Sequence, residues 1–207
     1  MEATVSNRLK QYSILEGMAN KVVRYLFLSQ LNLLIFLGIC TVIMPGYLFE
    51  RNEGGVSNYG VHNATVVPFT LAFLLSGVFV LLAAYAMPRS AKQLNRLRYA
   101  LYGLSGLLAL NLATTYGYKT SAALNNLHIT SVIIIFWFEM AMAAWMVLAL
   151  LKDRTSAVVL AIQFIGFLMG GLTLIGTLHL LFVTQVITGL AFGILLVLSG
   201  QRLAKQP

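Results

Sequence analysis

The chain has 207 residues, of which 59% are hydrophobic and 10% charged, with a formal net charge of +8. Soluble domains carry about 25% charged residues, so an ordinary soluble globular domain and a disordered chain are both excluded. The basic surplus stands at the ends of apolar runs, where anionic lipid headgroups account for it, and no nucleic-acid partner is expected.

In residues 1–24, Val5, Leu9, Tyr12, Leu15, Met18 and Val22 recur at three- and four-residue spacing, with Arg8, Lys10 and Lys21 off that stripe. The pattern predicts a short amphipathic helix lying in the cytoplasmic interface. Six apolar runs follow that are long enough to span a bilayer: about Tyr25–Tyr47, Val66–Met87, Leu97–Tyr118, His128–Leu151, Ala157–Thr177 and Leu178–Ser199. The runs are continuous rather than alternating, which excludes a spanning barrel. The first run lacks a small-residue cleavage site and reads as a signal anchor. It holds the only cysteine, Cys40, so no disulfide framework is expected.

Pro45 and Gly46 loosen the far end of the first span, and Pro68 falls in the first turn of the second. Pro88 stops the second span, and Ser90 is placed to cap the third. The last two spans are joined by almost nothing, so they are expected to be antiparallel neighbours. Gly166 with Gly170, and Gly189 with Gly193, form small-xxx-small faces. They are expected to bring these helices together or to support homo- or hetero-oligomers.

The basic residues give the sidedness. Arg8, Lys10, Lys21, Arg24, Arg89, Lys92, Arg96, Arg98, Lys152, Arg154, Arg202 and Lys205 share one side of a six-span chain, and only Arg51 and Lys119 fall on the other. Positive loops stay in the cytoplasm. The expectation is an all-α, polytopic membrane protein: one domain over 1–207, a six-transmembrane-helix bundle with a short N-terminal interfacial helix. Both termini are expected to be cytoplasmic, and the cell (plasma) membrane is the expected location.

The stretch "ERNEGGVSNYGVHN" (Glu50–Asn63) then lies outside. So do His128, at the head of the fourth span, and His179, in the last turn. Glu50, Glu53, Ser57, Asn58, Tyr59, His62, Tyr116, Tyr118, Asn125 and Asn126 join them in one outward polar rim. Glu139 lies eleven residues beyond His128, about 16 Å along a helix and close to three turns, so the two share a face. An acid near the bilayer centre is costly, and it marks either a functional site facing the bundle interior or a hydrogen bond between helices. Asn111, Ser76, Thr184, Gln185 and Thr188 are expected at similar depth.

Histidines and acids are zinc-ligand types, but no HxxH or HxxxH pair occurs. No metal and no cofactor are expected. Ser57 with His62 and Glu50 or Glu53 has the composition of a nucleophile, base and orienter, but lacks a GxSxG elbow.

"VSNYGVHNATVVPFTLAFLLSG" carries Ser57, Gly60, Phe69 or Phe73, and Gly77, and "HITSVIIIF" carries His128 with Phe136. These positions resemble the bacterial and archaeal domain-of-unknown-function 998 group, allied to the Frag/DRAM/Sfk-type six-span membrane proteins. The motif match covers some thirty residues; His62, the "ERNEGG" run and Glu139 depart from it. The resemblance implies six spans, a motif-bearing loop after the first, and a lipid-related role.

The residues themselves suggest that this glycine-bearing loop folds down as a lid on a polar cleft. The cleft is formed by Ser57, Asn58, Gly60, His62, His128, Glu139, His179 and Asn111. The leading expectation is binding of, or action on, a membrane lipid or amphiphile. A small proton-coupled transporter using Glu139 is the second, and a non-catalytic structural subunit of a membrane complex the third.

Overall fold

Apolar runs of this length can satisfy their backbone inside a membrane only as helices, and helices are what form. The structure is a computed structural model that describes residues 2–48, 55–88, 92–178 and 180–204. Its α-helices are α1 (Glu2–Ile43), α2 (Val66–Ala86), α3 (Lys92–Thr115), α4 (Ala122–Trp145), α5 (Arg154–Leu174) and α6 (Leu181–Ala204). Between α1 and α2 run two 3-10 turns, Pro45–Leu48 and Gly55–Val61. A π-helical turn, Met146–Leu151, extends α4 to Lys152, which closes it with a positive φ of 53°. There are no strands among the described residues.

Among the described residues, five helices are long and apolar enough to cross a membrane: Asn20–Ile43, Val66–Ala86, Ala122–Leu151, Arg154–Leu174 and Leu181–Leu203. Their outward faces expose Val42, Leu148, Ile165 and Trp137. So much apolar surface marks a membrane-embedded bundle. The expected six-span count is not reached on length and composition. The difference lies in α3, where Arg96, Arg98 and Asn111 interrupt the leucines.

Local chemistry shifts the helix ends. Ser121 caps α4 by accepting a hydrogen bond from the Leu124 N–H at 3.1 Å. The helix therefore starts at Ala122, and His128 stands well inside it rather than at its head. Asp153 caps α5, accepting from the Ser156 N–H at 2.9 Å and the Ser156 hydroxyl at 2.7 Å. The interfacial helix expected over 1–24 is continuous with the first span in α1, whose 42 residues extend about 63 Å. The expected apolar stripe at Val5, Leu9, Tyr12 and Leu15 lies outside the described side chains, as Ser90 lies outside the described residues.

α1 packs between α2 and α6, α3 lies against α2 and α4, and α5 lies against α6. A polar seam joins α1 to α2: the Asn32 amide donates to the Ala72 carbonyl at 2.7 Å, and the Ser76 hydroxyl to the Ser29 carbonyl at 2.7 Å. The glycine faces pack differently from the expected pairing. Gly166 and Gly170 face Thr188 and Thr184 of α6, Gly193 faces Gln30 of α1, and Gly189 has open space beside it.

Alternating helix directions bring Lys21, Arg24, Arg96, Arg98, Lys152, Arg154 and Arg202 to one end of the bundle. Beneath that basic end the core is solid, built from Leu26, Val80, Leu97, Leu101, Met146, Leu195 and their neighbours. Toward the other end the helices part, and a smaller cluster of Cys40, Val56, Tyr59 and Phe69 closes the top.

Candidate functional site: a capped intramembrane chamber

Between the two clusters lies a chamber of about 330 Å³. One face of α1 lines it with Gln30, Leu33, Leu34, Leu37, Gly38 and Thr41. A face of α6 supplies Phe182, Gln185, Val186, Gly189 and Leu190, and α4 supplies Val132, Ile135, Phe136 and Glu139. Asn111 and Leu108 of α3 and Phe73 of α2 complete the sides, and Val56 and Ser57 form the roof. Leu34 and Leu190, which line the chamber from α1 and α6, are 51% and 38% exposed, so it is open along these two helices. The expected polar cleft is thus mainly apolar, with isolated polar groups.

The roof is the 3-10 turn Gly55–Val61, whose first six residues are buried. Gly55 has a φ of +56°, which a side chain rarely adopts. Next to it, the Val56 N–H donates to Gln185 Oε1 at 2.7 Å and ties the turn to α6. Gly60 is required by closeness: a Cβ there would stand 2.4 Å from Thr115 Cγ2 and 2.8 Å from Phe69 Cε1. Tyr59 is fully buried, edge-on to Tyr47 at 5.4 Å and to Phe182 at 5.9 Å. Burial pushes its phenol above the ordinary tyrosine value, against the pull of the Thr41 hydroxyl. The roof thereby acquires a neutral hydroxyl within reach of Thr41 Oγ1 and the Met44 carbonyl, each at 3.4 Å.

Two links fasten the turn to α4 and the α3–α4 connection. Ser57 Oγ is 3.0 Å from His128 Nε2, and Tyr118 donates its hydroxyl to Asn58 Oδ1 at 2.9 Å. The Tyr118 ring stacks on the His128 imidazole, centroids 4.9 Å apart. On its other side His128 Nδ1 meets Thr114 Oγ1 at 3.1 Å. Ser131 donates to the His128 carbonyl at 2.7 Å and reaches Asn111 Oδ1 at 3.4 Å.

Of the residues expected in one cleft, the structure brings Ser57, Asn58 and His128 into one network, and Ser57, Asn111 and Glu139 into the lining of one chamber. Gly60 serves packing. His62 turns away and pairs with the Tyr47 hydroxyl. It is therefore not the base for Ser57, and His128 occupies that place with Thr114 instead of an acid behind it. Glu50, Glu53 and His179 lie outside the described residues. Among the described residues no three of His, Cys, Asp and Glu gather in one place.

Glu139 is half-buried and faces the chamber, and no described residue gives it a hydrogen bond or ion pair. Ser76 is occupied in the α1–α2 seam, Gln185 holds Val56, and Thr184 donates to the Leu181 carbonyl at 2.8 Å. Depth placed these residues level with Glu139, but Ser76 and Thr184 bond elsewhere, and Gln185, which does line the chamber, is taken up by the roof.

Thr114, Tyr118 and Gln185 matter to the site beyond what the sequence suggested for them. Thr114 lies fourteen residues before His128, across a helix–turn–helix, and no local pattern marks it. Comparison with protein-family models, with curated proteins and with solved structures finds no match to this chain.

Proposed function

We propose that this chain is an integral membrane protein that binds an amphiphile in the chamber, admitting it from the bilayer between α1 and α6. The observation that carries this reading is the chamber itself. Its volume lies at the small end of ligand sites, about 300–1,000 Å³, and its lining is apolar apart from a few uncharged groups and Glu139. Its margin, at Leu34 and Leu190, lies where lipid chains would stand.

α3 completes six spans in this proposal, because it packs against both α2 and α4. The twelve-to-two split of basic residues then directs both termini to the cytoplasm and the roof outward, with the plasma membrane as the location. The resemblance over residues 56–77 agrees with a lipid-related role.

A proton-coupled transporter is the second reading, favoured by the unpartnered Glu139 under a roof held by hydrogen bonds. A purely structural subunit is less favoured, because Gly166, Gly170 and Gly193 are already filled by contacts within the chain.

The test is to narrow the opening. Leu34→Trp and Leu190→Trp should each lower the lipid retained by the purified protein, read by native mass spectrometry after gentle delipidation. Unchanged retention in both folded variants would rule out binding through that gap.

A further inference from the structure

Among the described residues lining the chamber, Glu139 is the one charged side chain; the remaining polar liners, Gln30, Thr41, Ser57, Asn111 and Gln185, are all uncharged. The described cations are elsewhere. Lys119 stands over the Tyr118 ring at 5.7 Å, and Arg98 over Tyr99 at 5.4 Å near the basic end. A carboxyl group in a largely apolar space gives up its charge by taking a proton, and it is held in the charged form only when a cation joins it. A neutral acid serving as glue between helices would have a hydrogen-bond partner, and none of the described residues supplies one. The group is therefore directed at whatever enters the chamber.

We propose, resting on the chamber reading above, that the occupant is a lipophilic cation: an ammonium or similar nitrogen or phosphorus cation carrying an apolar body. Its charge pairs with Glu139. Its apolar body is held by the leucines of α1 and α6 and by Phe73, Phe136 and Phe182, whose rings also attract cations. An anionic amphiphile, such as a fatty acid or a phosphodiester, is repelled by the same carboxylate. An uncharged one leaves the carboxylate unpaired.

The test uses the full chain in an uncharged detergent or in nanodiscs of uncharged net headgroup. Three probes share one tail: dodecyltrimethylammonium, dodecanol and dodecyl sulfate. Binding is read by calorimetry and by the shift in thermal unfolding. The cation should bind at least about tenfold more tightly than the alcohol, a modest share of the attraction between two opposite charges in contact away from bulk water, and the sulfate more weakly than either. Glu139→Gln should abolish the cation's advantage, read as the ratio of cation to alcohol affinity within each protein. Glu139→Asp, which keeps the charge, should retain part of the preference and covers the case in which Glu139→Gln does not fold. Equal binding of cation and alcohol to the wild type, or an undiminished preference in Glu139→Gln, would overturn the proposal. If the alcohol binds and Leu190→Trp removes it, but the cation is not preferred, the chamber reading survives and the cation does not. If no probe binds, both are wrong.

Discussion

Ser57 Oγ and His128 Nε2 stand 3.0 Å apart although 71 residues separate them along the chain. The surroundings assign the protons. The Thr114 hydroxyl has the Leu110 and Asn111 carbonyls at 3.1 and 3.0 Å, and its single hydrogen goes to them. It therefore accepts from His128 Nδ1. Nε2 is left with its lone pair toward Ser57, whose hydroxyl donates. The imidazole is thus a neutral bridge from α3 to the chamber roof, and Ser57 holds the roof to α4.

Ser57→Ala removes that donor and leaves Nε2 buried without one, at a cost of about 1–3 kcal/mol. Cys40, the only cysteine, is fully buried beneath the roof with Val56, Tyr59 and Phe69, so it reports on the roof directly. A small thiol reagent should modify Cys40 faster in Ser57→Ala than in the wild type. An unchanged rate would mean that the Ser57–His128 bond does not hold the roof.

Gly60→Ala forces a Cβ to within 2.4 Å of Thr115 Cγ2 and 2.8 Å of Phe69. Overpacking of this kind costs about 1–3 kcal/mol. Thr115→Ser deletes the nearer methyl and keeps the hydroxyl that donates to the Asn111 carbonyl at 2.8 Å. The double variant should recover part of the lost stability, a non-additive result expected only of residues in contact. Strict additivity in denaturation experiments would contradict the packing.

Asp153 makes the start of α5 sensitive to acid. The Ser156 N–H, then the Ser156 hydroxyl and the Thr155 N–H, with the Arg202 charge, hold its carboxyl below the ordinary aspartate value. A carboxyl depressed by folding contributes stability above its unfolded pKa and loses it as pH falls through the folded one. Asp153→Ala should therefore unfold at a lower temperature than the wild type at neutral pH, and the gap should close as the pH drops below the aspartate range. A gap that persists in acid would show that the cap does not act through its charge.

Sidedness can be read by cysteine labelling in a Cys40→Ala background. Asn58 is buried and bonded to Tyr118, so Asn63 and Gln93, both exposed, are the positions to use. An impermeant reagent should label intact cells at residue 63 and not at residue 93. The opposite pattern would invert the proposed orientation.

Hydropathy is summed residue by residue along the chain, so the apolar runs announced the helices, and the helical period placed His128 and Glu139 on one face before any fold was known. A short connection limits how far its middle can stray, which is why Ser57 could be expected near His128. Composition counted α3 as a span like the others, although it falls short of the apolarity of the five, and its part in the bundle emerged only from its packing against α2 and α4. What the chain alone left open was rotation: sequence spacing places Ser76, Gln185 and Thr184 level with Glu139 but does not determine which way each helix turns. Packing decided that, sending Ser76 to α1, Gln185 to the roof and His62 to Tyr47, and leaving Glu139 facing an apolar chamber with no described partner. A cavity is formed by helices that part from one another, so no single segment records it; it exists only in the arrangement of α1, α4 and α6.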